Sequence, residues 1–197
     1  ELLDPNTLLS SYIPKADVYH CPADNYIDMY AGHKVHVRSY SMNSAVGTTW
    51  NAFYANGSPP IGAPVQGGWL PGSGYSASQT AWLTYGKMSS FTRPGPVNTW
   101  VLMDENPITI NDGSMAISAL GVPGNTYLID LPSGNHNHSA GMAFADGHSI
   151  VHKWLDKRTY TVNNVATQHG NQNAGGGHQN PDDPDMIYLA PLTSAAR

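Results

Sequence analysis

The 197-residue chain has a formal net charge of −5 and only nine Lys and Arg residues. No basic run could neutralise phosphates, which excludes nucleic acid and an anionic membrane surface as partners. Charged residues make up 12 % of the chain, about half of the usual share for a soluble domain, whereas Gly and Pro number 20 and 15. This composition predicts a loop-rich β protein outside the cytoplasm, with a polar but uncharged surface.

The N-terminal part of the chain predicts a short helix, a turn and a strand. Pro5 follows a potential capping residue, Asp4, and an apolar stripe runs from residue 8 to residue 13, as is typical of a short helix. Residues 21–24 (Cys-Pro-Ala-Asp) predict a turn. Residues 33–46 alternate between two faces and therefore predict a strand.

Irregular segments separate the remaining predicted elements. Residues 47–78 are rich in Gly, Pro and aromatic side chains without a sustained period, which predicts an ordered surface excursion. Residues 98–103 form a nearly continuous apolar run, typical of a central, buried strand. Residues 168–185 are rich in Gly, Asn and His and predict a flexible loop, and residues 187–192 predict a final short strand. The whole chain, residues 1–197, is predicted to be one domain.

The stretch from Asn135 to Trp154 predicts a β-hairpin. Apolar positions alternate on both sides of Asp146 and Gly147, and an Asp-Gly pair in this setting favours a two-residue type I′ turn. Such a turn would place Ala143 opposite Ile150 and would fix which side chains share a face of the sheet.

Five short motifs follow one another along the chain. They are an apolar segment, Cys21-Pro22-Ala23-Asp24, Arg38-Ser39-Tyr40-Ser41-Met42-Asn43, Trp100-Val101-Leu102-Met103-Asp104-Glu105, and His136 followed after nine residues by Asp146-Gly147-His148. In this order they resemble the motifs of prepilin-type proteins that carry the processing-associated His-x9-Asp-Gly domain, which are pilin-like and type II secretion pseudopilin-like subunits. The resemblance extends from about Leu2 to Trp154.

The resemblance implies an α+β fold, a pilin-like globular domain with a small antiparallel β-sheet and long irregular loops. In such subunits a long N-terminal hydrophobic helix anchors the precursor in the membrane and later forms the filament core. That helix is absent from this chain, so we expect the sequence to be the globular part of such a subunit.

The function implied by the resemblance is structural and not enzymatic. Identical subunits would assemble into a helical filament, a type IV pilus or type II secretion pseudopilus, outside the cell, on its surface or in the periplasm. The membrane would be contacted only through the missing helix. Some members carry a cysteine near the end of that helix, which implies a disulfide between Cys21 and a cysteine outside this chain. A lone cysteine is otherwise typical of a small buried side chain.

Six acidic and histidine side chains are candidate metal ligands: Asp104, Glu105, Asp112, His136, Asp146 and His148. Carboxylates with backbone oxygens would suit Ca²⁺, whereas a set with two or three histidines would suit Zn²⁺ or another transition metal. The calcium sites of major pseudopilins favour calcium by analogy. The alternative is that Asp146 is a turn residue, His136 bonds to backbone, and the two acids after the strand cap a loop.

Other candidate sites lie in the loops. Asn56 and Asn137 each match the N-glycosylation sequon. Aromatic residues at positions 50, 54, 69, 75, 82 and 85 could stack on sugars, contact a neighbouring subunit, or simply pin the excursion.

Two further functions stay open beside the filament subunit. The first is a carbohydrate-binding surface module with a structural calcium, which would use the aromatic excursion. The second is a metal-dependent hydrolase built on His136, Asp146, His148 and Asp104, although no ordered zinc motif supports it.

Overall fold

In a computed structural model of the protein, the described residues are 10–28, 32, 34–49, 62–71, 81–119, 127–160, 178–179 and 183–197. The strands are β1 (Ile27–Asp28), β2 (Lys34–Val35), β3 (Tyr40–Asn43), β4 (Trp100–Asp104), β5 (Ser114–Met115), β6 (Tyr127–Leu128), β7 (Ser139–Phe144), β8 (Ser149–Lys153) and β9 (His178–Gln179). The helices are α1 (Lys157–Tyr160), a single turn, and α2 (Pro184–Thr193). Short 3₁₀ turns span Ala16–Tyr19, Met88–Ser90 and Pro96–Asn98.

A five-stranded sheet in the order β5-β3-β4-β7-β8 organises the fold. All its pairs are antiparallel except β3 with β5, which run parallel. The α+β class is therefore confirmed, but the sheet is mixed and not purely antiparallel as predicted. The reason is that the loop after β4 reverses the chain, so that β5 runs against β4 and hence along β3.

The central strand predicted at residues 98–103 is confirmed as β4, which begins only at Trp100. It is buried on one face, at Trp100 and Met103, whereas Leu102 is exposed on the other. The strand predicted over residues 33–46 is broken into β2 and β3, and Val46 forms an isolated bridge with Tyr85, while residue 33 lies outside the described residues. Between β2 and β3 the guanidinium group of Arg38 donates to the Tyr40 carbonyl at 2.8 Å.

The hairpin is confirmed, but its predicted register is wrong by one residue. Ala143 lies opposite Ser149, not Ile150, and the loop has three residues because Phe144 N–H donates to the His148 carbonyl. Gly147 takes a φ of +94° at the end of this loop. An Asp-Gly pair is also common in three-residue hairpin loops, in which the glycine takes a left-handed conformation, and this protein forms that kind of loop.

The strand predicted at residues 187–192 is wrong, because these residues belong to α2. Asp183 caps this helix by accepting hydrogen bonds from the N–H groups of Asp185 and Met186, and Pro184 occupies its first turn. Met186 and Leu189 pack onto one face of the sheet. The main core joins them to Trp100, Met103, Met115, Ile117, Leu131, Ala140, Met142, Phe144 and Trp154.

A second, smaller core supports the loops beside β3. It contains Ala45, Leu70, Tyr85, Phe91 and Ala119, with the Tyr85 and Phe91 rings stacked at 4.7 Å. Within the predicted excursion at 47–78, Thr48 forms a β-bridge with Pro64. The rest of the excursion lies largely outside the described residues, as does most of the loop predicted at 168–185, whose described part holds β9 and the start of α2.

Residues 1–9 of the predicted N-terminal helix lie outside the described residues, and residues 10–15 are not helical. In the described part of the chain, no helix is long and apolar enough to cross a membrane.

Candidate functional site

A polar cluster forms where the turn at residues 21–24 meets the end of the sheet. Ser39, just before β3, donates its hydroxyl proton to Asp24 Oδ2 at 2.7 Å and accepts from Cys21 N–H at 3.1 Å. Ser39 N–H also donates to the Tyr19 carbonyl. All three side chains are buried, so this network fixes the turn to the sheet.

His136 joins that turn to β4. Its Nε2 atom lies 3.3 Å from Cys21 Sγ and 3.3 Å from Asp104 Oδ2. Asp104 is 3 % exposed and also accepts from Gly141 N–H at 2.7 Å. Burial raises the pKa of Asp104, while Gly141 and His136 act against that rise. Asp104 Oδ1 is buried without a hydrogen-bond partner in the described part of the chain.

Cysteine, histidine and aspartate are the residue types of a nucleophilic triad, but their geometry here does not match one. A triad uses both imidazole nitrogens, one for the nucleophile and one for the orienting carboxylate. Here a single nitrogen of His136 faces both partners, and Cys21 is only 3 % exposed. The arrangement is suited to anchoring the loop before β7.

A second cluster of buried acids lies beside the first. Glu105 accepts hydrogen bonds from the hydroxyl groups of Ser41 and Thr109. Burial and the nearby charge of Asp130 raise the pKa of Glu105 to about 8. Burial raises the pKa of Asp130 to about 7, against the hydrogen bond that its Oδ2 accepts from Ala116 N–H at 2.6 Å.

Arg38 provides positive charge next to these acids. It donates to Ser41 Oγ at 2.6 Å and to the Asp112 carbonyl oxygen, which ties the loop before β5 to β3. Its charge lowers the pKa values of Glu105 and Asp130 in part, without reversing the effect of burial.

A cavity of about 480 Å³ is lined in part by Asp130. Its lining also includes Ser44, Thr48, Gln66, Trp69 and Asp112, together with the apolar residues Val65, Ala116 and Ile129. Two of these side chains carry buried polar atoms with no hydrogen-bond partner in the described ranges, Ser44 Oγ and Gln66 Oε1. Trp69 has a φ of +68°, in the left-handed region that a bulky residue rarely adopts.

The six predicted metal ligands are not brought to one point. Asp104 and His136 meet at one end of β4, and Glu105 turns towards Ser41. The other pair, Asp146 and His148, lies at the opposite end of β7 in an exposed hydrogen bond of 2.6 Å, which lowers the pKa of Asp146.

Asp112 lies in the loop before β5, where its Oδ1 accepts from Ser114 N–H at 2.7 Å. No group of three or more His, Cys, Asp or Glu side chains suited to a metal ion occurs among the residues that the structure describes. Calcium binding therefore stays a prediction.

The remaining sequence candidates are placed as follows. Asn137 is exposed in a tight turn with a φ of +56°, and Asn56 lies outside the described residues. Cys21 is buried under His136, so a disulfide to another cysteine would require the loop at 134–138 to move. Of the six aromatic positions, Trp69 lines the cavity and Tyr85 is in the smaller core.

Sequence reasoning missed Asp130, Ser44 and Gln66. Asp130 stands in an irregular segment, and its buried environment arises only when β5 and the loop after Leu128 come together. The motif at residues 38–43 was noticed for its family likeness and not as part of a site, although Ser39 and Ser41 hold both acid clusters.

Comparison with known proteins finds no matching protein-family model, no matching curated protein and no matching solved structure.

Proposed function

We propose that this protein is the globular part of a structural filament subunit of the pilin-like or pseudopilin-like kind. One observation carries the proposal. Side chains from the motifs at residues 21–24, 38–43 and 100–105 are buried, and the partly exposed His136 at the start of the His-x9-Asp-Gly motif joins them in one polar network. The motifs behind the resemblance are therefore the residues that hold this fold together, as expected for a structural signature.

The two faces of the sheet support the same proposal. One face packs on α2 and the main core. The opposite face presents Leu102 at 40 % exposure and Val151 at 69 %, with the small residues Gly141 and Ala143 between them. This shallow surface, which also carries the exposed Ser149 and Lys153 on the edge strand β8, suits a packed helix, and in the proposal its occupant is the N-terminal helix of the subunit.

The path of the chain fits this arrangement. Cys21 contacts His136, and His136 contacts Asp104, which lies on the same sheet face as Gly141. Residues 10–21 therefore approach the sheet at the end of its open face, where a preceding helix would continue along it. In the proposed filament identical subunits are the partners, and the location is outside the cell, on its surface or in the periplasm.

Electron microscopy of native material tests the proposal. Cell-surface preparations from the producing cells would be labelled with an antibody against residues 10–197, and the intact mass of the native protein would be measured. We expect labelled filaments and a mass that includes an apolar segment ahead of Glu1. A labelled, globular monomer of unextended mass as the native form would refute the proposal.

A pair of variants distinguishes a role of the open face in assembly from a general effect on folding. Val151→Glu places a charge on that face, and we expect it to prevent assembly without lowering the melting temperature of the globular part. Val97→Glu is the matched control, because Val97 is similarly exposed in the 3₁₀ turn before β4. Equal assembly of both variants would contradict a role for the open face.

A further inference from the structure

The cavity beside Asp130 has the composition of a binding site for an uncharged ligand. Its described lining contains two carboxyl groups, Asp112 and Asp130, and no Lys, Arg or His. An anionic ligand would meet those acids without a compensating cation in the lining. The volume of about 480 Å³ is within the range of small-molecule sites, which runs from about 300 to 1,000 Å³.

Two buried polar atoms in this lining have no hydrogen-bond partner among the described residues. Ser44 Oγ can donate and accept a hydrogen bond, whereas Gln66 Oε1 accepts one. Buried polar atoms are nearly always paired in folded proteins, so two exceptions that line one cavity indicate that a bound molecule completes them. Ser44 follows β3 and Gln66 lies in the loop at 62–71, so a ligand between them would join the sheet to that loop.

Trp69 is the aromatic residue in the described lining of this cavity. Its φ of +68° is strained for a bulky residue, and it follows Gly67, whose φ is also +68°, in the same turn. A Cβ atom at Gly67 would lie 2.5 Å from Leu70 Cδ1, so the turn is packed tightly from behind. Backbone strain that is held by packing in this way concentrates at binding sites.

We infer that this cavity binds a neutral sugar of one or two rings, with hydroxyl groups bonded to Ser44, Gln66 and the carboxyl groups, and with C–H groups against Trp69. Hydroxyl groups both donate and accept, and therefore match a lining that offers carboxyl, amide and hydroxyl oxygens. Because burial raises the pKa of Asp130 to about 7, its protonated carboxyl group can also donate a hydrogen bond near neutral pH. The inference is independent of filament assembly.

Calorimetric titration of the full chain tests the inference, with D-glucose, N-acetyl-D-glucosamine and cellobiose as probes and D-gluconate as the anionic control. We expect at least one neutral sugar to bind with a millimolar Kd and gluconate not to bind. Gln66→Leu should raise the Kd for that sugar by about fivefold, the usual effect of one lost hydrogen bond, and Trp69→Ala should abolish binding. Tyr12→Ala removes an exposed aromatic ring outside the cavity and should change nothing.

Three outcomes would overturn the inference: no neutral sugar binds, gluconate binds as well as glucose, or Gln66→Leu and Trp69→Ala both bind like the parent protein. If Trp69→Ala does not fold, Ser44→Ala replaces it, because this change removes only the unpartnered hydroxyl. A melting temperature within the error of the parent confirms that the weakened variants are folded.

Discussion

The imidazole of His136 and the carboxyl group of Asp104 lie 3.3 Å apart and join the loop before β7 to the end of β4. The same imidazole nitrogen contacts Cys21, so one side chain connects three segments that are distant in sequence. This gives the His-x9-Asp-Gly spacing a physical meaning, because its histidine anchors one end of β7 while its Asp-Gly pair turns the chain at the other end.

We expect His136→Ala to destabilise the protein by about 1–2 kcal/mol, because the buried Asp104 carboxyl would keep only its bond from Gly141. Urea denaturation followed by circular dichroism would measure the change. His148→Ala is the matched control, since the His148 ring is exposed at the hairpin turn, stacks on Phe144 and hydrogen-bonds to the exposed Asp146 instead of a buried carboxyl group. Equal losses in the two variants would contradict the anchoring role of His136.

Gly141→Ala tests the other contact of Asp104. A Cβ atom at position 141 would lie 3.1 Å from Asp104 Oδ2, so the strand or the carboxyl group must shift. We expect a loss of about 1–2 kcal/mol in the free energy of unfolding, as for other overpacked sites. Gly113→Ala provides the comparison, because a Cβ atom there meets nothing within 4 Å and the backbone needs no positive φ. Thermal unfolding that ranks the two variants the other way would show that the contact is unimportant.

The elements that the sequence predicts correctly are those whose pattern lies within a few neighbouring residues. The apolar run ending at Met103 and the Asp-Gly turn are local signals, and both elements were found. The hairpin register was missed because Ala145 can belong to the strand or to the loop, and only packing of the paired strands decides. The short apolar stretch at residues 187–192 predicts a strand when taken alone, whereas the cap formed by Asp183 starts a helix that includes it.

The candidate site was less predictable than the fold. Asp104 and His136 are predicted to be neighbours at a metal site, and the structure brings them into contact at 3.3 Å. Their third partner, Cys21, was assigned a different role, because no sequence pattern shows which turn packs against β4. Asp130 carries no local signal either, since its raised pKa depends on burial produced by tertiary contacts.

Asn43 should be among the least replaceable residues of β3. It is fully buried, donates to the carbonyl oxygens of Trp100 at 2.9 Å and Thr193 at 3.0 Å, and accepts from Ala45 N–H. Asn43→Ala would remove all three buried hydrogen bonds, so we expect a loss of about 2–4 kcal/mol in the free energy of unfolding. Chemical denaturation would measure it, and a loss below that of His136→Ala would contradict this account.

The buried acids predict that stability falls as pH rises. The folded-state pKa values are about 8 for Glu105 and about 7 for Asp130, both above their ordinary values of 4.5 and 3.8. At these two groups the folded protein therefore binds more protons than the unfolded chain between about pH 4 and pH 8, so their contribution to stability decreases across that window. Glu105→Gln replaces one of these two titrating carboxyl groups with a neutral amide. We expect it to stabilise the protein by about 1–3 kcal/mol at pH 8 and to have little effect near pH 5. Urea denaturation at both pH values measures the difference, with Asp17→Asn, an exposed acid, as the control. A Glu105→Gln effect that is the same at both pH values would show that Glu105 is ionised in the folded state throughout.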